Sequence, residues 1–264
     1  MNIRICIKKI ISLRYRKLIG YWYNKLKYFG FRFKCPFCGG NFSKFLPCGL
    51  NLPVLKEKQV IGGGYRLNAV CPRCASTDRE RLIYLYLKNK TSIFQKNIKV
   101  LHVAPEKELQ KIIRAASNID YLSSDLDSIL AMVKMDITEI KYRDNFFDVI
   151  ICNHVLEHII DDYKAISELY RVLRTGGWAI IQVPISPLLP RTYEDFEITS
   201  PEEKEKMFGQ SDHVRIYAGD YKDRLEKVGF SVEIYNYINE FGKSACRKYG
   251  LLEKEDLYIC SKKR

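Results

Sequence analysis

The sequence predicts an α/β protein with a small cysteine-rich module ahead of its main domain. From about Thr77 onward, apolar runs of strand length alternate with amphipathic helical patterns, as they do in α/β domains. Residues 35–76 are instead rich in Cys, Gly and Pro. With 264 residues, of which 47% are apolar, the chain can bury a large core, which excludes wholesale disorder. The predicted organisation is an arm over 1–34, a cysteine-rich module over 35–76 and an α/β domain over 77–264.

The α/β domain contains seven runs that are predicted to be strands. They lie at 98–104, 119–125, 132–137, 147–153, 178–183, 230–235 and 257–260. Helices are predicted at 79–87 and 107–116, and a further helix is capped by Asp161 or Asp162 and stopped by Gly176-Gly177. We expect helices between the first five strands and a loop between the last two.

The arm over 1–34 is basic. It holds ten Lys and Arg residues and no acid, so most of the chain's formal net charge of +13 belongs to it. Its apolar residues recur at helical spacing: Ile7, Ile10, Ile11, Tyr15, Leu18, Trp22, Leu26 and Phe29. This pattern predicts a basic amphipathic helix that contacts an anionic membrane or a partner protein. Packing on the body of the protein fits the same spacing, and a nucleic-acid-binding arm is the third alternative.

The sequence shows neither a run long enough to span a membrane nor a secretory signal. Nine cysteines, four of them in Cys-x-x-Cys pairs, are typical of metal binding in a reducing compartment. We therefore expect a cytoplasmic protein with peripheral contact at the inner membrane surface through the arm. The nearly balanced charge of the remaining chain predicts no specific binding of nucleic acid.

Two short turns in the cysteine-rich module predict a structural zinc site. Cys35 and Cys38 form one knuckle and Cys71 and Cys74 the other, and four thiolates complete a closed tetrahedral shell. The spacer between the pairs is longer than is usual in a zinc ribbon, and Cys48 within it is a possible substitute ligand. Four reduced structural cysteines, or a redox pair, are the alternatives.

One long block of the α/β domain resembles a known family. Residues 147–159 read FDVIICNHVLEHI and residues 169–177 read LYRVLRTGG, which closely resembles class I S-adenosylmethionine-dependent methyltransferases of the type-11 kind. The resemblance runs from about Lys99 to Cys260. It implies a Rossmann-like seven-stranded sheet with helices on both faces, its last strand antiparallel, and a cofactor across the carboxyl ends of the first strands.

The resemblance also implies which residues bind S-adenosylmethionine. The first motif departs from the family's pattern, since His102 stands in the acidic position and Ala104 and Glu106 stand where glycines are usual. Either the pocket is spoiled and the protein is a catalytically inactive, zinc-bearing interaction protein, or Glu106 meets the cofactor's amino group. The other implied contacts are Asp125 with the ribose (Asp127 as the fallback), Leu126 and Ile137 with the adenine ring, Asp136 with its amino group, and Asn153 beneath the methionine portion.

The acceptor is expected to be a polar small molecule or sugar that is methylated at oxygen. No Asn/Asp-Pro-Pro-aromatic motif follows the fourth strand, so the resemblance does not support transfer to nucleobase amino groups. Oxygen, ordinary nitrogen and carbon acceptors remain. The family places its acceptor insertion at 192–217, which here is rich in polar side chains: Tyr193, Glu194, Asp195, Asp212, His213 and Arg215. A solvated lid is the alternative.

A hydroxyl acceptor requires a base that titrates near neutrality. His213 is the first candidate, because the adjacent Asp212 can fix its tautomer or itself serve as base. His154, at the exit of the fourth strand, is the second. Glu157 and His158 are expected to orient the segment after that strand.

Overall fold

The computed structural model describes residues 26–263. The arm's amphipathic helix is predicted almost wholly within residues 1–25, which lie outside the described residues. No helix in the described part of the chain is long and apolar enough to cross a bilayer.

The cysteine-rich module consists of two small antiparallel sheets and one short helix. The strands are β1 (Phe29–Lys34), β2 (Asn41–Phe42), β3 (Leu46–Cys48) and β4 (Arg66–Val70), with β1 paired to β2 and β3 to β4. Helix α1 (Pro53–Glu57) lies between β3 and β4. Strand β1 falls within the range that the sequence predicted to be arm, because Phe33 packs into the module's core against Phe45.

The remaining elements form the α/β domain. In chain order they are α2 (Asp78–Lys90), β5 (Ile98–Val103), α3 (Lys107–Ala115), β6 (Ile119–Asp125), β7 (Val133–Lys134), β8 (Phe147–Asn153), a 3-10 turn (Leu156–His158), α4 (Asp162–Val172), β9 (Leu173–Gln182), β10 (Tyr193–Glu194), α5 (Pro201–Phe208), β11 (Arg215–Ile216), α6 (Tyr221–Val228), β12 (Ser231–Asn236), α7 (Tyr237–Tyr249) and β13 (Asp256–Ser261).

Seven of these strands form one sheet in the order β12-β13-β9-β8-β5-β6-β7. Strands β5 to β9 pair in parallel, while β13 is antiparallel to both β9 and β12. Helices α4 and α6 contribute to the apolar core on one face, and α2, α3 and α7 to the core on the other. The predicted Rossmann-like α/β fold, with its antiparallel last strand, is confirmed.

Three local predictions were wrong. A helix, α7, joins β12 to β13 in place of the expected loop. No helix flanks β7 in the described structure, since short turns connect it to β6 and β8. Helix α4 ends at Val172, ahead of Gly176-Gly177, because Leu173 already pairs with Phe147 in the sheet. Gly177 instead allows β9 to lie close to β8, because a Cβ at this position would lie 2.7 Å from the Asp148 carbonyl oxygen.

A buried arginine attaches the cysteine-rich module to the α/β domain. The Arg81 guanidinium, on α2, donates to the Ser76 and Ala69 carbonyls at 2.7 and 3.0 Å, and to the Tyr249 and Gly250 carbonyls at 2.7 and 2.9 Å. It thus joins the second knuckle, β4 and the end of α7. Because the N–H groups of this buried guanidinium bond to backbone carbonyls of both parts, they hold the module against the α/β domain.

Candidate functional site

The four cysteines of the two knuckles lie around one point. Cys35 Sγ is 3.6 Å from Cys74 Sγ, and Cys38 Sγ is 3.8 Å from Cys71 Sγ. A zinc tetrahedron with Zn–S bonds of about 2.3 Å has edges of about 3.8 Å, so these distances fit a metal and exceed a disulfide bond. Hydrogen bonds with the neighbouring thiols lower the pKa of Cys35.

The two knuckles are built alike. In the first, the Cys35 N–H donates to the Gly40 carbonyl and the Gly39 N–H to the Cys35 carbonyl. In the second, the Cys71 N–H donates to the Ser76 carbonyl and the Ala75 N–H to the Cys71 carbonyl. Gly39 and Ala75 occupy the same position in each turn, with φ of 67° and 64°. Cys48, on β3, is not part of the four-thiol group.

A buried polar cluster occupies the end of β5, where the sequence departs from the family's first motif. His102 is wholly buried, with Nδ1 2.9 Å from the Tyr121 hydroxyl and Nε2 2.8 Å from Glu106 Oε2. Asn153 Nδ2, from the end of β8, donates to Glu106 Oε1. Burial by itself raises the pKa of Glu106, but His102 and Asn153 outweigh it and lower that pKa. A carboxylate, that of Glu106, thus lies beside the His102 ring although it comes four residues later in the chain.

The turn after β5 keeps the backbone geometry that glycine would provide. Ala104 has a φ of 47°, in the left-handed region, and its N–H donates to the Ser124 carbonyl at 2.8 Å. Glycine adopts this conformation most readily because it has no Cβ, and alanine adds only that one atom. The chain therefore turns sharply at the end of β5 and enters α3 at Lys107.

The acidic residues predicted at the ends of the second and third strands are both in tight turns. Asp125 Oδ1 accepts from the Asp127 and Ser128 N–H groups, each at 2.8 Å. Asp136 Oδ1 accepts from the Thr138 N–H and hydroxyl at 2.8 Å. Leu126 is half exposed and Ile137 is buried beside this edge, while Asp127 lies 3.6 Å from Lys134. The backbones of the two turns are joined, because the Met135 N–H donates to the Asp125 carbonyl at 3.0 Å.

Buried polar atoms at this edge lack hydrogen-bond partners. They are Ser124 Oγ near the end of β6 and Asn153 Oδ1 at the end of β8. Unsatisfied buried polar atoms are costly, and a bound ligand is one way in which they are satisfied. Their position at the carboxyl ends of parallel strands fits a polar nucleoside cofactor such as S-adenosylmethionine.

His154 lies between two carboxylates. Its φ is 55°, and its Nδ1 is 3.1 Å from Glu157 Oε1 while its Nε2 is 3.6 Å from Glu255 Oε1. Both glutamates are almost completely buried. Gly62 packs directly against this pair, since a Cβ at Gly62 would lie 3.2 Å from His154 Cε1 and 3.1 Å from Glu255 Oε1. The sequence prediction missed Glu255 and Gly62.

Gly62 belongs to the spacer loop, residues 49–65, which runs between the two cysteine pairs. Ile61 bridges to Ile185 after β9, and the Ser186 hydroxyl donates to the Lys58 carbonyl at 2.6 Å. Leu55, on α1, packs with Phe208 of α5. The cysteine-rich module thus contacts the predicted acceptor insertion. The one sequence signal for such a close approach was the Gly62-Gly63-Gly64 run.

The predicted pairing of His213 with Asp212 was wrong. Asp212 Oδ2 lies 3.1 Å from Nδ1 of His158, and the His213 ring packs edge-to-face on the His158 ring at 4.6 Å. His213 is 7% exposed, and burial lowers its pKa to about 4. Asp212 lies at the surface and contacts the 3-10 turn, whereas the adjacent His213 is buried.

Other polar residues of the acceptor insertion form a structural network. The buried Arg215 donates to Glu194 at 2.9 Å, to the Leu156 and Ile160 carbonyls at 2.9 and 2.8 Å and to the Ile159 carbonyl. Arg224 also donates to Glu194, at 2.7 Å. These bonds hold the insertion against the segment after β8, so Arg215 and Glu194 are positioning residues.

Comparisons with known proteins concern the α/β domain. Residues 89–181 match a family model described as a methyltransferase domain. The chain is 28% identical over 103 residues to the ubiquinone/menaquinone biosynthesis C-methyltransferase UbiE of Francisella tularensis, covering 38% of this chain and 36% of that protein. It thus spans about a third of the length of the curated relatives it matches.

Solved structures show the same fold at low sequence identity. A SAM-dependent methyltransferase from Archaeoglobus fulgidus covers 70% of this chain and 94% of its own, at 17% identity and a TM-score of 0.47. The [4+2]-cyclase SpnF covers 81% and 97%, at 14% identity and a TM-score of 0.50. The chain thus has a Rossmann-like α/β fold, and its residues 89–181 match a methyltransferase domain. Because a protein named as a cyclase shares the fold, the reaction has to be argued from the site.

Proposed function

We propose that the protein is an S-adenosylmethionine-dependent methyltransferase that acts on a hydroxyl-bearing small molecule or sugar, at oxygen. One observation carries the proposal: the polar contacts of His102 and Glu106 end at Asn153, and the next residue, His154, lies between two buried carboxylates. The cofactor edge and a candidate base thus adjoin along the exit of β8.

The residues at the strand ends fit the cofactor group by group. Asp125 accepts from the ribose hydroxyls, and Leu126 and Ile137 contact the adenine ring, whose amino group donates to Asp136. Glu106 and Asn153 receive the methionine portion. Glu106 is one-fifth exposed, and each oxygen has one protein donor, so lone pairs remain for an ammonium group.

The reaction needs alignment and removal of one proton. S-adenosylmethionine supplies an electrophilic methyl group on a sulfonium. His154 accepts the proton of the acceptor hydroxyl at Nε2, while Glu157 orients the ring through Nδ1 and stabilises the imidazolium. Glu255 adds a second negative charge on the Nε2 side. His213 is the weaker candidate base, because a pKa near 4 gives little driving force for proton abstraction at neutral pH.

The four-thiol group holds a structural zinc ion in this proposal. Cys35, Cys38, Cys71 and Cys74 fill all four positions, so no position is open for a substrate. The zinc stabilises a module whose own apolar core is small, and it ties the first knuckle to the second, which follows β4 directly.

A catalytically inactive interaction protein is the second candidate, and one observation favours it. Glu106 fills a place where the family has glycine, and the protein itself already engages both of its oxygens. The two candidate functions can be distinguished by one product, because only an active methyltransferase converts S-adenosylmethionine into S-adenosylhomocysteine.

The test is methyl transfer from S-adenosyl-[methyl-³H]methionine to a panel of monosaccharides, polyols and hydroxylated aromatics. We expect an acceptor-dependent tritiated product and a matching amount of S-adenosylhomocysteine. Asp125→Ala is the control for product made without the cofactor site. Binding of S-adenosylmethionine with no transfer to any acceptor class would favour the inactive alternative, and transfer only to carbon or nitrogen would overturn the assignment to oxygen.

A further inference from the structure

A second group of metal-ligating side chains lies on the acceptor side of His154. Glu157 and His158 belong to the 3-10 turn after β8, and His213 comes from the acceptor insertion. One ligand atom from each lies within 4.8 Å of the others. The backbone holds them together, because the Val214 N–H donates to the Glu157 carbonyl at 2.9 Å.

The Glu157 carboxylate is unsatisfied in a way that points to a ligand. Its side chain is only 2% exposed, Oε1 faces His154 Nδ1, and Oε2 is buried without a hydrogen-bond partner. A buried carboxylate oxygen without a donor is strongly disfavoured. A cation between Glu157 and the two imidazoles would remove that cost.

His158 has the outer-shell contact that metal-bound histidines commonly have. Asp212 Oδ2 is 3.1 Å from its Nδ1, so a carboxylate fixes the ring and leaves the other nitrogen free to ligate. The Asp212 side chain is 62% exposed, and its contact with His158 joins the acceptor insertion to the 3-10 turn.

We propose that Glu157, His158 and His213 bind a divalent transition-metal ion such as Zn²⁺ or Mn²⁺. Two imidazoles and one carboxylate are a ligand set that such ions take with positions left open. Bonds of about 2.1 Å place ligand atoms at most about 4.2 Å apart, so small ring rotations close the present spread. This site differs from the four-thiol group in supplying three ligand atoms and not four.

The role of the ion deepens the proposed function and rests on it. An acceptor hydroxyl on an open position of the ion becomes more acidic, as metal-bound water does. As its oxygen forms the bond to the methyl carbon, its proton passes to His154 and the C–S electron pair stays on sulfur. The products are a methyl ether, neutral S-adenosylhomocysteine and protonated His154. The acceptor class is therefore one with a hydroxyl that can chelate or ligate a metal.

The experiment uses full-length protein whose four-thiol group already holds zinc. Equilibrium dialysis against Zn²⁺ counts a second equivalent, and the loss of the free Mn²⁺ EPR signal measures Mn²⁺ binding. We expect one additional ion per chain, lost in Glu157→Gln and in His213→Asn. Asp212→Asn should weaken binding about 10- to 100-fold without disturbing the fold, because its side chain is largely exposed. Glu202→Gln, an exposed carboxylate on α5, is the matched control.

Failure of wild-type protein to bind either ion would overturn the proposal, as would binding that survives in all three ligand-side variants. Because dialysis needs neither cofactor nor acceptor, its result is independent of methyl transfer. Binding of the second ion without transferase activity would leave the metal site standing and count against the proposed function. Methyl transfer by protein that binds no second ion would overturn the metal site and leave the proposed function standing.

Discussion

The two halves of the candidate site are constructed differently. The cofactor half lies at the ends of β5, β6, β7 and β8, and its contacts join neighbouring strands of one sheet. The acceptor half joins four segments that are far apart in the chain: the spacer loop, the exit of β8 with its 3-10 turn, the acceptor insertion and the loop before β13. Gly62, His154 and Glu255 meet there although about a hundred residues separate each from the next.

This difference explains why a cysteine-rich module accompanies the methyltransferase domain. The spacer loop contains no sheet strand, and its ends are fixed by the pairing of β3 with β4. Arg66 also donates to the Gly62 and Gly64 carbonyls at 3.0 and 2.9 Å. Arg66 is in turn paired with Asp78 at 2.6 Å. The module is therefore a structural component of the acceptor half, whereas the cofactor half depends on the sheet alone.

The largest expected effect comes from removing one zinc ligand. Cys71→Ser should unfold the module, because structural zinc contributes on the order of 10 kcal/mol to the folding of such segments. The zinc content measured by elemental analysis should fall below that of the wild type, and amide hydrogen exchange over 35–76 should accelerate strongly.

The matched control is Cys48→Ser, the same chemical change outside the four-thiol group, which should keep both zinc and protection. In Cys71→Ser the affinity for S-adenosylmethionine should persist while turnover is lost. A metal-free variant with a fully protected module would show that zinc does not hold it.

The next effect tests the base in the acceptor half. His154→Asn should lower turnover by about 10²–10⁴-fold, because the proton acceptor is lost. Its affinity for S-adenosylmethionine, measured by calorimetry, should be unchanged. Wild-type turnover in this variant would remove His154 from the mechanism.

A smaller effect is expected where the two halves touch. Gly62→Val should destabilise the protein by roughly 1–3 kcal/mol, since φ is +79° and the new side chain meets His154 and Glu255. Turnover should fall while cofactor affinity is kept, as steady-state kinetics and calorimetry would show. Gly219→Val, at a site with nothing within 4 Å, is the control. Equal turnover in the two variants would mean that the spacer loop does not act on His154.

The cofactor half was the more predictable because apolar runs end where its residues begin. The run at 147–153 located Asn153 and His154, and the run at 119–125 located Asp125. Glu255 and Gly62 had no such signal, since their partner is fixed only by tertiary packing. The pairing of Asp212 failed for the same reason: adjacency in sequence does not show which side chain of a loop is buried.

The smallest effect on either half should follow from deleting residues 1–25. Strand β1 begins at Phe29, so this deletion spares the module. We expect unchanged cofactor affinity and loss of binding to anionic phosphatidylserine-containing vesicles, measured by co-sedimentation. Equal vesicle binding by the truncated protein at the same salt concentration would show that the arm is not a membrane anchor.

The central claim is that the strand ends of the cofactor half bind S-adenosylmethionine, and calorimetry on the zinc-loaded protein tests it most directly. The wild type should bind one equivalent. Asp125→Ala should weaken binding by about 1–3 kcal/mol through the lost ribose acceptor, and Glu106→Gln should weaken it through the lost charge opposite the amino group. Asp120→Ala, the same change at an exposed acid near the other end of β6, is the matched control and should bind as the wild type does. Absence of binding by the wild type, or unchanged affinity in both Asp125→Ala and Glu106→Gln, would contradict the account.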